Sequence, residues 1–380
     1  MDYYIFNPEN DEALATNTSY YQPSASIICM AHDLSEMQRF IMPTNNAEIY
    51  TPGMVLKNGD RIRPWGWSKY LLKRLSDEGV TELPSIEYVE KWRMLSHRRN
   101  AALILYKLSD IPECIGEDTE YKSENDIHKL LDDNSKKYVL KAPWSSSGRG
   151  VHTYEKDKEK PINNWIRNTL HVQGSVMVEP QYNKLYDFAM EFKTSPNSGV
   201  EFVCYSLFKT SPDYHIYLGN VIASDEDIEA FITQYIPYAT LQAVRTRLID
   251  ELSSLLKDSD YDNYIGVDMM ICAEGGKYKL HPCVEINLRM NMGVFAHIFY
   301  ERSVSHNSIG FFNIKYFKNG ISPVVENEKM TARSPLNYDN SGRITDGYIS
   351  LSSIKKDTKF HAMAIINPRN LLKRCVDIFH

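Results

Sequence analysis

Three observations predict a mixed α/β fold. The chain opens on a strand, a polar turn and a helix, the order that begins an α/β layer. Tyr138-Val-Leu is a short β-forming run that ends in Lys141 and breaks into a stretch rich in serine and glycine. Tyr264 to Arg289 reads as two strands folded about Glu274-Gly-Gly-Lys277.

In the opening unit, Tyr3 to Phe6 supplies the strand. Asn7 is expected as N-cap, Pro8 as the first helical residue, and Glu9, Asp11 and Glu12 as acids that suit the positive end of a helix. Glu48 to Tyr50 and Met54 to Leu56 read as short strands, and Trp65 to Leu75 as a helix. Leu83-Pro84 marks a turn, and Glu87 to Met94 leads out of the first domain. Ser96-His-Arg-Arg-Asn100 then introduces a helical run from Ala101 to Leu108.

After Lys141 and Pro143 come Ser145, Ser146, Ser147, Gly148, Arg149 and Gly150. Glycines let a backbone approach an anion closely, and successive N–H groups in a turn form an anion-binding hollow. Lys141 and Arg149 add charge, and an arginine can hold a phosphate through two parallel hydrogen bonds. The GxxxxGK[ST] and GxGxxG patterns are both absent, so a nucleotide bound here is held by another scheme. Taken alone, the segment also fits a plain strand followed by a Ser/Gly loop.

In Glu285-Ile-Asn-Leu-Arg289, the alternation of a strand projects Glu285, Asn287 and Arg289 to one side and Ile286 and Leu288 to the other. A hairpin with one solvated face alternates in the same way. Folding about the Gly-Gly turn brings Asp268 level with Cys283 to Glu285. An acid inside Ile-Gly-Val-Asp-Met-Met-Ile calls for a partner. Two carboxylates and an amide oxygen suit a hard cation such as Mg²⁺, which shares oxygen ligands with phosphates. Ser175 to Tyr182 and Phe202 to Phe208 read as further strands, Ser224 to Leu256 as a helical insertion, and Phe360 to Ile366 as a late strand. Glu326 to Lys329 and Asn337 to Gly342 read as loops, and Leu371 to Phe379 as a last helix.

Composition narrows the function classes. The chain has 380 residues, 43% of them hydrophobic, which suits two or three domains with a real core. A net charge of −6 with no basic face argues against nucleic acid. No apolar run approaches the roughly 18 residues of a membrane span, and Met1-Asp-Tyr-Tyr-Ile-Phe lacks a basic leader. The six cysteines form no CxxC and read as reduced core thiols of a cytoplasmic protein. The histidines make no HExxH or Cys/His cluster; His281 and His297 lie near the candidate site and read as structural. No GxSxG is present.

In these segments and their order, residues 94–310 resemble the ATP-grasp superfamily of ATP-dependent carboxylate–amine ligases. The resemblance implies an α/β pre-ATP-grasp domain over 1–93, a small ATP-grasp subdomain over 94–182, a large one over 183–319, and an extension over 320–380 packing on the core. It implies that Lys141 and the Ser145 to Gly150 loop, with Arg149, cover the phosphates of ATP. Asp268, Glu285 and Asn287 would be ligands of Mg²⁺ or Mn²⁺, and Arg289 would stand beside the reacting acyl phosphate. Glu179 and the backbone to Tyr182 would hold adenine, and Asp187 the ribose. The family's earlier lysine is replaced: Arg98 is the nearest match and Arg99 its rival. Lys209 is a further candidate phosphate contact, and Asn7, Glu9 and Asp11 are placed to meet a substrate amine. The expected activity is amide formation between a small-molecule or peptide carboxylate and an amine, in a possible homodimer. A kinase-like phosphotransferase and a non-catalytic nucleotide-binding module are the alternatives.

Overall fold

Strand β1 (Asp2–Ile5) is the middle of a three-stranded parallel sheet, between β2 (Ala47–Ile49) and β3 (Arg61–Pro64). Helix α1 (Asn10–Thr16) follows β1, and α2 (Ala25–Leu34) runs into a 3₁₀ turn over Ser35–Phe40. After β3 come α3 (Lys69–Asp77) and α4 (Ile86–Leu95). This is a computed structural model, and it describes residues 1–133, 136–145, 148, 150–154, 159–195, 199–211, 216–318 and 320–369.

Several local expectations are corrected here. Asn7 does not cap α1, which starts at Asn10. Its amide instead bonds the backbone of Gly66 in both directions, Nδ2 donating to the carbonyl at 2.8 Å and Oδ1 accepting from the N–H at 3.3 Å. Met54 to Leu56 is not a strand, and β3 takes that place in the sheet. The helix expected from Trp65 starts at Lys69, because the Ser68 hydroxyl accepts from Leu71 N–H and caps it there.

Helix α5 (Arg98–Lys107) leads into a four-stranded antiparallel sheet. Its elements are β4 (Thr119–Tyr121), α6 (Glu124–Leu131), β5 (Tyr138–Lys141), β6 (Val151–Thr153), α7 (Glu159–Gln173) and β7 (Val176–Pro180). The sheet order is β4-β7-β5-β6. Ile127, Leu131, Leu140, Ile162, Ile166, Val176 and Val178 form its own small core.

A nine-stranded sheet carries the rest. It is built from β8 (Lys184–Ser195), β9 (Gly199–Thr210) and β10 (Tyr217–Ile222), then helices α8 (Asp225–Ile232) and α9 (Tyr238–Leu255). Next come β11 (Tyr264–Glu274), β12 (Lys277–Asn287), α10 (Met292–Ser303) and β13 (Ser308–Tyr316). The C-terminal part adds α11 (Pro323–Arg333), β14 (Asn337–Tyr338), β15 (Ile344–Ser350) and β16 (Phe360–Pro368). The order is β12-β11-β8-β9-β10-β13-β16-β15-β14. The last three strands therefore extend the main sheet. Glu326 to Lys329 belongs to a helix, not a loop, started by the Ser322 cap and Pro323 in its first turn. Asn337 and Tyr338 pair with β15 instead of looping. The helix expected over 371–379 lies outside the described residues.

Alternation sorts the two faces of this sheet. Phe188, Met190, Phe192, Val267, Met269 and Ile271 face α5, α8 and α9 in the largest core. Asp187, Ala189, Glu191, Gly266, Asp268, Cys204 and Ser206 take the other face. Glu285, Asp268, Ala189 and Ser206 form one cross-strand row.

Candidate active site

The β11–β12 hairpin turns on Gly275 and Gly276, both at positive φ (57° and 76°), as a two-residue hairpin turn requires. The register then puts Asp268 directly opposite Glu285. A bulge lies just beyond, between Asp268 and Met270, where Pro282 has no N–H to give the ladder.

Asn287 Nδ2 donates to Asp268 Oδ2 at 3.2 Å, and Arg289 Nη2 donates to Asn287 Oδ1 at 3.1 Å. Arg289 also forks onto Asp11, Nε to Oδ1 at 2.8 Å and Nη2 to Oδ2 at 2.9 Å. The expected metal ligands and arginine are thus one contiguous strip. Ile286 and Leu288 are buried behind it. Burial first, and then the neighbouring Glu285 carboxylate, push the Asp268 carboxyl up to about 7, with Arg289 pulling the other way. Arg289 and Arg98 offset only part of the charge of the acids at this corner, and its adjacent oxygens fit a hard divalent cation. Burial works against the Arg289 charge, but Asp11, Glu285 and Asp268 outweigh it and raise its pKa.

Arg98 joins this strip to the serine loop. Its Nη2 stands 2.7 Å from Glu285 Oε2, while Nη1 donates to Ser145 Oγ at 2.8 Å and to the Ala142 carbonyl. Arg99 instead points to Glu120, 3.9 Å away. Beneath Ser145, Trp144 donates from Nε1 to the Arg93 carbonyl at 3.0 Å, with the Arg93 guanidinium 3.6 Å over its ring and His97 edge-on at 4.5 Å. Gly150 must be glycine, since a Cβ there would lie 2.4 Å from Ser145 Cβ. Gly148 has φ +75°. Ser146, Ser147 and Arg149 lie outside the described residues.

Lys141, at the end of β5, is buried between two acids. Nζ lies 2.7 Å from Asp118 and 2.9 Å from Glu179, its neighbour on β7. Burial alone would lower the lysine, but the two carboxylates raise it. Burial raises Asp118 despite the ammonium beside it. His281 sits 3.7 Å from Glu179, and burial, then the Lys141 charge, lower its pKa to about 3. Its imidazole is therefore neutral. Both His281 ring nitrogens and Asp118 Oδ1 are buried without a hydrogen bond. Such orphaned groups fit a ligand that carries donors and acceptors of its own, as a purine does. Tyr182 closes the corner, its ring 5.5 Å from His281 and its hydroxyl accepting from Glu117 N–H at 2.9 Å. Asp187 faces the cleft one row from Asp268, accepting from Lys184 and Thr210, each at 2.6 Å.

Of the other candidates, Lys209 falls on the opposite face of β9 by alternation. Glu9 is buried, 3.7 Å from Arg74, and does not join the strip. Asp118 and the Glu191–Asn291 pair were not anticipated. Asn291 Nδ2 donates to the buried Glu191 carboxyl at 2.6 Å, while its Oδ1 caps α10 through Val294 N–H. The signal for Asn291 is a capping residue directly before a helix. Asp118, in the polar run Gly116-Glu-Asp-Thr-Glu, gives none.

No protein-family model matches the chain, and no curated protein matches it in sequence. Solved structures do. An ADP complex of N5-carboxyaminoimidazole ribonucleotide synthetase superposes with a TM-score of 0.54 at 9% identity, covering 100% of this chain and 96% of that one. N5-carboxyaminoimidazole synthetase from Staphylococcus aureus with ADP gives 0.52 at 11% identity over the same shares. A biotin carboxylase–β-γ-ATP complex from Campylobacter jejuni gives 0.50 at 12%, covering 98% and 90%. These likenesses show the fold: an α/β domain followed by the two halves of an ATP-grasp fold.

Proposed function

We propose that the chain is an ATP-dependent carboxylate–amine ligase acting through an acyl phosphate. The observation that carries this reading is Arg98, which spans from the serine loop to Glu285 and brings the phosphate side and the metal side to one point. The nucleotides bound in the structural neighbours support it, ADP in two and β-γ-ATP in a third.

ATP would lie between the two ATP-grasp halves, its base toward Glu179, Tyr182 and the unpartnered nitrogens of His281, and its phosphates under Ser145, Gly148 and Gly150. Asp268, Glu285 and Asn287 would hold Mg²⁺, which when bound neutralises charge on phosphate oxygens. A substrate carboxylate oxygen attacks the γ-phosphorus and the bond to ADP breaks. The amine nitrogen then attacks the acyl carbon, phosphate leaves, and the amine proton passes to solvent. Arg289, held in register by the Asp11 fork, is placed to meet the transferring group. Lys141, held between Asp118 and Glu179, would fix the wall against which the base lies. The work is positioning and electrostatics, so no activated nucleophile is needed.

The carboxylate and amine are small molecules or peptides. A homodimer is proposed as the assembly, a state recorded for the 2-oxoglutarate carboxylase biotin carboxylase domain of Hydrogenobacter thermophilus. No helix among the described residues is long and apolar enough to cross a membrane, and a cytoplasmic location is proposed. The test is ADP release against pooled amino acids and small peptides, with Asp268→Asn and Glu285→Gln as controls. Turnover lost in both controls, with an amide and free phosphate as products, supports the proposal. Turnover unchanged in both, or a phosphorylated product alone, overturns it.

A further inference from the structure

A group of side chains of metal-ligating type lies between helix α10 and the sheet, apart from the strip just described. Cys204 on β9, Asp225 at the start of α8 and His297 on α10 come from three separate elements. Their sulfur, carboxylate oxygen and imidazole nitrogen all lie within 4.8 Å of one another. In register, Cys204 is two strands across and two residues along from Asp268. That is about 10 Å sideways and about 7 Å along the sheet. We propose that Cys204, Asp225 and His297 bind one divalent cation of the zinc class.

The donor set carries the choice of ion. The Asp268 strip offers only oxygens, which suit a hard cation. Sulfur, imidazole nitrogen and a carboxylate together suit a borderline one. Charge balance agrees, since one thiolate and one carboxylate neutralise a dication and leave no net charge in a largely shielded site. Cys204 is fully buried and not in a disulfide. Neither its sulfur nor the His297 ring makes a hydrogen bond among the described residues. Asp225 is already oriented, because its Oδ1 accepts from Tyr205 N–H at 2.7 Å, the residue after Cys204. Such a second contact is what fixes a ligand carboxylate in established sites. Glu301, one helical turn beyond His297, acts electrostatically on both His297 and Cys204, and water would complete the coordination.

Donors around one tetrahedral zinc stand roughly 3–4 Å apart. The three groups need to close by only about an ångström, within reach of small rotamer changes. Binding releases the thiol proton to solvent. The cation would tie the helical insertion and α10 to the sheet, and α10 begins at the Asn291 cap beside the active-site strip.

The test uses the full chain, freed of metal by chelation and titrated with Co²⁺. The expected result is one equivalent bound, with a near-ultraviolet thiolate-to-cobalt charge-transfer band that Zn²⁺ abolishes and excess Mg²⁺ leaves intact. Cys204→Ser should lose the band, and His297→Gln should weaken Co²⁺ binding about a hundredfold or more. Cys29→Ser and Asp268→Asn should keep it. Thermal melts identify which variants are folded, and the wild-type titration decides if neither ligand variant folds. No band in the wild type, or a band that survives Cys204→Ser, overturns the site. Because the readout is not turnover, it stands or falls apart from the ligase proposal.

Discussion

Lys141 and Asp268 each belong to a group with more acid than base, and the two groups resolve the excess differently. Around Lys141 one ammonium serves Asp118 and Glu179. That group is walled in, so burial drives the surplus charge toward a proton, and Asp118 is the carboxyl raised. Around Asp268 the acids are Glu285 and Asp11, with Arg289 and Arg98 opposed to them. That group opens to the cleft, and a metal ion can take the place of the proton. Access, more than charge count, separates a group that holds a proton from one that can take a cation.

The sharpest way to break this contrast is Lys141→Met. It leaves two buried carboxylates facing each other and should cost about 3–5 kcal/mol in urea unfolding. A variant as stable as wild type would falsify the walled-in reading. Asp268→Asn and Glu285→Gln should leave the unfolding midpoint nearly unchanged while cutting ATP-dependent ADP release by about 10²–10³-fold. Next in size is pH. Because the free Asp268 carboxyl lies raised near 7, a cation must displace a proton below that value. Mn²⁺ affinity, followed by paramagnetic relaxation, should therefore fall as pH drops through 7, by up to about tenfold per unit. A flat profile from pH 8 to 5 would place Asp268 among ordinary carboxylates. The smallest effect is Arg98→Lys. It keeps the charge but not the fork between Ser145 and Glu285, and should raise KM for ATP by about tenfold.

Much of the candidate strip was legible because its cues are local. A Gly-Gly pair sets the turn of the hairpin, and the alternation of Glu285, Asn287 and Arg289 sets the face, so register alone delivers Asp268 to Glu285. The same logic located Lys141 at a strand end. What could not be read depends on meetings between distant segments. Arg98 reaches Glu285 while its neighbour Arg99 turns to Glu120, a difference set by the first turn of α5. Strand β3 carries two arginines and a proline in four residues, and its pairing with β1 overrides that weak β-propensity. Asn7 has the chemistry of a cap but spends it on Gly66, which no local pattern encodes. Cys204, Asp225 and His297 share no sequence spacing at all.

The fork between Asp11 and Arg289 joins the first domain to the Asp268–Arg289 strip. In the proposed reaction, whatever seats that domain also aims the guanidinium. Exchanging the leading ninety or so residues with those of a distant cousin would then transplant a latch along with any acceptor pocket. A graft lacking an acid at that corner could welcome a new amine and still leave the phosphoryl group unsteered.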